Sequence, residues 1–179
     1  GIVTAIAASP DGTILAAAGQ GNCHLFEAST GRPQTSSESW DSGHPNQTTK
    51  SLVFHRTAAM LTSITSSGAI PIWRFAESPP RFYTLSPATR PLDVQFDSTT
   101  DHLYVAAESN RGEGAEIAEF DLQSEQVIHR ITEPFDSPFA MAGAFRPDGG
   151  AYAGVSEKGR VVVRDLPGGE VRCQFDVER

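Results

Sequence analysis

The sequence predicts an all-β protein made of four successive copies of one four-stranded antiparallel unit, and three observations predict it. The first is a repeated text: SPDGTILAAAGQGNCHLFEASTG, from Ser9 to Gly31, returns as RPDGGAYAGVSEKGRVVVRDLPGG from Arg146 to Gly169. The two match at an offset of 137 from Pro10 to Pro147 and, after one inserted residue, 138 from Gly21 to Gly159. An offset of 138 is three periods of 46, so two weaker copies are expected in between. The second observation is a pair of anchors that report this period independently. The first apolar run of each unit ends at Ala8, Phe54, Phe96 and Phe145, and the third carries Phe26, Trp73, Phe120 and Arg164 near its end. The third is texture: short runs rich in Val, Ile, Phe and Tyr alternate with Gly, Pro, Asp and Ser clusters, and no unit has a helical pattern.

The elements follow in order. The first strands are VTAIAA from Val3, SLVF from Ser51, PLDVQF from Pro91 and MAGAF from Met141. Each runs into a turn, of which SPDG and RPDG are the clearest: Pro presets the backbone angle, Asp supplies an acceptor, and Gly accepts positive φ. The second strands, TILAAAG, AMLTSIT, HLYVAAE and AYAGVSE, are small and apolar enough to pack closely on a neighbouring sheet. The third are CHLFEA, IPIWRF, EIAEFDL and VVVRDL; the fourth are RFYTL, QVIHRI and VRCQF, with that of the first unit expected within RPQTSSESW. Four antiparallel strands recurring every 42 to 49 residues are the pattern of a β-propeller, each unit being one blade. The blades are expected at 1–40, 41–86, 87–132 and 133–179 of a single propeller region.

Composition fits this and excludes other classes. At 39% hydrophobic and 20% charged, with 16 Gly and 12 Pro, the chain is globular and turn-rich, not disordered or fibrous. A formal net charge of −8 argues against a general binder of nucleic-acid backbone, whose affinity comes from clustered Lys and Arg. No apolar run approaches the ~20 residues that span a bilayer, and GIVTAIAASPDG lacks the pattern of a signal peptide, so an intracellular, soluble chain is expected. Cys23 and Cys173 are expected to be small buried thiols, since two cysteines make no disulfide framework.

The order SPDG, apolar strand, Gly, and a strand ending in aromatic, acid and aliphatic residues before a Thr-Gly type turn resembles the WD-repeat family over essentially the whole chain. The best matches are SPDGTILAAAGQGNCHLFEASTG, SITSSGAIPIWRF and FRPDGGAYAGVSEKGRVVVRDLPGG. The resemblance implies a structural network joining a His before the first strand, a Ser or Thr of the second, an Asp of the next turn and a Trp of the third. In the second unit His44, Ser63 and Trp73 stand at those places, with Ser67 where the family has Asp. The other units hold Phe26, Phe120 and Arg164 at the Trp position and lack Gly-His, so they rely on apolar packing. Because an open end leaves apolar sheet surface in water, and the small second strands suit the shallow angle of large rings, the four blades are expected to be part of, or half of, a seven- or eight-bladed ring. A homodimer or association with further blades would close it.

Chemistry-bearing groupings are sparse. The five histidines (His24, His44, His55, His102 and His129) are spread one per region, so no metal site and no cofactor is expected. Asp11 and Asp148 occupy the same turn of different units and read as turn-formers, and GQGNC is a hairpin with no helix after it. The informative segments are the loops between blades, which in the WD-repeat family commonly bind partners. TSSESWDSGHPNQTTK, from Thr35, and TEPFDSPFA, from Thr132, place Trp40, Phe135 and Phe139 in otherwise polar surroundings, either sealing blade junctions or forming a partner-binding patch. Arg111 sits in a third, charged loop, ESNRGEGAE. The expected function is a non-catalytic protein–protein interaction scaffold that binds a protein or peptide. The alternative is a propeller enzyme, because RPLDVQFDSTTDHLYVAAE and FDLQSEQVIHRI also resemble Tyr-Val type repeats of bacterial propellers similar to sugar lactonases. No catalytic residue of that group matches a position of this chain.

Overall fold

The computed structural model describes residues 2–20, 22–34, 40–41, 47–57, 60–74, 81–84, 90–108, 114–134, 140–156 and 158–177. They form four sheets, each a meander in which sequence neighbours pair antiparallel. The first holds β1 (Val3–Ala8), β2 (Ile14–Gly19), β3 (Asn22–Glu27) and β4 (Trp40–Asp41); the second β5 (Thr49–Phe54), β6 (Met60–Thr65), β7 (Ala69–Arg74) and β8 (Arg81–Thr84). The third holds β9 (Pro91–Phe96), β10 (His102–Glu108), β11 (Gly114–Asp121) and β12 (Gln126–Pro134); the fourth β13 (Ala140–Phe145), β14 (Ala151–Ser156), β15 (Arg160–Asp165) and β16 (Val171–Asp176). The chain divides into two compact units, Gly1–Pro87 and Ala88–Arg179.

The register joins the two sequence anchors. In every sheet the end of the first strand and the anchor of the third flank one residue of the second: Ala8–Leu15–Phe26 and Phe54–Leu61–Trp73 in the first unit. The second unit repeats this as Phe96–Leu103–Phe120 and Phe145–Tyr152–Arg164. Four residues before each first anchor, the first strand bulges, so that Thr4, Lys50, Leu92 and Met141 are skipped in the pairing. A bulge bends its strand and increases local twist. The conformation recurs although these four side chains share no chemistry.

The turns after the first strands of the first and fourth sheets, SPDG and RPDG, are built on aspartate as expected. Asp11 Oδ1 accepts from Thr13 N at 3.0 Å and Ser9 Oγ at 2.5 Å, and Asp148 Oδ1 accepts from Gly150 N at 2.9 Å and Arg146 Nε at 2.5 Å. In the third sheet Asp97 Oδ1 does this work, accepting from Thr99 N at 2.6 Å and Thr100 N at 3.0 Å. The turns after the third strands of the first and fourth sheets take positive φ at Gly31 (69°) and Gly169 (81°), which glycine supplies without steric cost. Glu125 stands at the same place in the third sheet and adopts φ 59° despite its Cβ. Glu125→Gly is therefore expected to stabilise the protein by about 1 kcal/mol, read by urea unfolding.

Each unit is held by one sheet packed on the next. In the first, Ala16, Ala18, Cys23 and Leu25 pack with Leu52, Phe54, Leu61 and Trp73. Thr4, the bulged residue, fastens the joint by donating to the carbonyl of Thr49 at 2.6 Å. In the second unit Tyr104, Ala106 and Ile117 pack with Tyr152, and the Phe145 ring stacks on Tyr104 at 6.2 Å and meets Tyr152 tilted at 4.8 Å.

One expectation is corrected. Cys173 is exposed while Cys23 is buried, so only one thiol lies in a core. Burial alone pushes the Cys23 thiol up to about 12. The fourth strand of the first sheet is described at Trp40–Asp41, starting within the stretch RPQTSSESW expected to contain it, and Pro33 in the same stretch bridges to Phe26.

Candidate functional site

Of the residues singled out from the sequence, Arg111, Phe135, Phe139 and His44 lie outside the described residues. Trp40 opens β4, its backbone paired with Cys23. Ser63 is buried at the middle of β6, opposite Leu52, and its Oγ has no hydrogen-bond partner among the described residues. Trp73 is buried opposite Leu61 as part of the apolar joint.

A polar chain that the sequence did not announce runs beside them. Ser67, at the turn position where the WD-repeat pattern has Asp, donates to Gln47 Oε1 at 2.6 Å and meets Thr65 Oγ1 at 3.0 Å. Ser66 N donates to Thr48 O at 2.9 Å, and Thr48 N to Ser66 Oγ at 3.2 Å. The segment entering β5 is thereby tied to the β6–β7 turn by neutral hydrogen bonds, each worth about 1 kcal/mol net. Gln47, five residues before the first apolar pair of β5, carried no signal because amides at such positions are common in loops.

The third sheet brings together the densest set of titratable groups. Glu119, buried on β11, accepts from His102 Nδ1 at 2.7 Å and from Tyr104 OH at 3.2 Å, and His129 Nδ1 lies 3.7 Å from its other oxygen. The Tyr104 hydroxyl also lies 3.4 Å from Asp97 Oδ2, and its single hydrogen can serve one carboxylate at a time. Burial first, then the charges of Glu119 and Asp97, raise the Tyr104 phenol far above its ordinary value, so it remains a donor throughout the accessible pH range. Burial pushes the Asp97 carboxyl up, but the hydrogen bonds from Thr99, Thr100 and Tyr104 outweigh it and leave the group lowered. The register explains the cluster: Glu119 pairs with Tyr104 on one side and His129 on the other, and His102 is two residues from Tyr104 on the same face. Among the described residues no three His, Cys, Asp or Glu side chains are arranged to hold a metal ion. The cluster holds the β9–β10 turn to the β11–β12 hairpin.

Polar groups also lock the third sheet to the fourth. Asp93 Oδ2 accepts from Phe145 N at 3.0 Å, Gln95 Nε2 donates to Pro147 O, and Ser98 N donates to Asp148 O at 3.0 Å. Burial raises the Asp93 carboxyl, and the bonds from Phe145 N and Val94 N only partly offset it. A carboxyl raised in the folded state binds its proton more tightly than in the unfolded chain, so its contribution to stability falls as pH rises from the unfolded value near ~4 through the folded one. Asp93→Asn keeps an acceptor for Phe145 N and removes the charge. Thermal unfolding of both proteins is expected to show the variant gaining on the parent between pH 3.5 and 7, where the other carboxylates cancel in the difference.

No family model matches the chain, and no curated protein does. Among solved structures, the crystal structure of the Myceliophteria thermophila Cps50 (Swd1) beta-propeller domain matches 97% of this chain with a TM-score of 0.73 at 13% identity. The chain spans 58% of that domain's length. The likeness shows the fold alone: all-β, of antiparallel four-stranded sheets, consistent with part of a β-propeller.

Proposed function

We propose that the chain is a non-catalytic protein–protein interaction scaffold of WD-repeat type, which binds a protein or peptide through the loops between its blades. One observation carries this reading. The strands spend side chains on blade packing and on local hydrogen bonds, while the sequence puts the large residues Phe135 and Phe139, and Arg111, in segments between strands and Trp40 at the start of the two-residue β4. Aromatic and Arg side chains are the usual anchors of such interfaces. The WD-repeat resemblance of SPDG, RPDG and IPIWRF supports the same reading, as does the propeller fold of the neighbour.

The test is affinity capture with the parent chain and with Trp40→Ala, Phe135→Ala and Phe139→Ala combined, after matching their unfolding temperatures. Loss of the proteins held by the parent supports the scaffold reading; an unchanged set contradicts it. On this reading a panel of sugar lactones is not hydrolysed, and turnover would favour the lactonase-like alternative instead.

A further inference from the structure

We draw no further inference here: the strongest candidate, the cluster of His102, Tyr104, Glu119 and His129 on the third sheet with Asp97, Asp101, Asp121 and Glu125 in the turns beside it, belongs to the site already described, and nothing in the structure points to a ligand for the acidic residues around it.

Discussion

Gly149→Ala is expected to cost about 3 kcal/mol, whereas Gly12→Ala, at the same place in the other copy of the Pro-Asp-Gly turn, costs about 1. Both glycines hold positive φ, 76° and 71°, so both substitutions carry the left-handed penalty of a side chain. They differ in surroundings. A Cβ on Gly149 would stand 2.8 Å from the carbonyl oxygen of Phe96 and 2.9 Å from the Asp97 Cα, both backbone atoms that cannot turn aside. A Cβ on Gly12 would meet nothing within 4 Å. Urea unfolding of the two variants in dilute solution gives the comparison, and equal losses would mean that the third and fourth sheets do not meet at this turn.

The second large effect uses the same kind of contrast. Leu61 is 0% exposed between Phe54 and Trp73, and Leu61→Ala is expected to cost about 3 kcal/mol through lost burial and the cavity left behind. Leu15 is its copy in the first sheet, flanked by Ala8 and Phe26 and 40% exposed, so Leu15→Ala in dilute solution should cost about 1 kcal/mol or less. The sequence alone ranks these two leucines alike; what separates them is whether a neighbouring sheet lies on top.

That contrast also marks how far the sequence could be read. The period, the strand order and the aspartate turns were legible, because anchors such as Phe54 and Trp73 are large, recur at fixed distances and sit on one row of the sheet. The bulges were not, since Thr4, Lys50, Leu92 and Met141 are related only by backbone geometry. Nor was the strained φ of Glu125, where the turn fixed by its neighbours overrides the residue's own preference. The cluster around Glu119 escaped for a different reason: His102 and His129 are far apart in sequence and meet only because two hairpins bring them to one carboxylate. Cys173 looked like a core residue because of the apolar residues in its strand, and its exposure leaves no trace in a run of letters. The candidate loop residues were singled out by being large in polar company; of these, Arg111, Phe135 and Phe139 lie outside the described residues.

The central claim is that one blade is written four times and that all four copies are built alike. Residue-resolved amide hydrogen exchange on the native chain tests this most directly. The second strands, β2, β6, β10 and β14, each have partners on both sides, and all four are expected to be strongly protected, with the breaks in protection falling at Thr4, Lys50, Leu92 and Met141. Exchange of any one of these four strands at the rate of the turns that flank it would contradict the account.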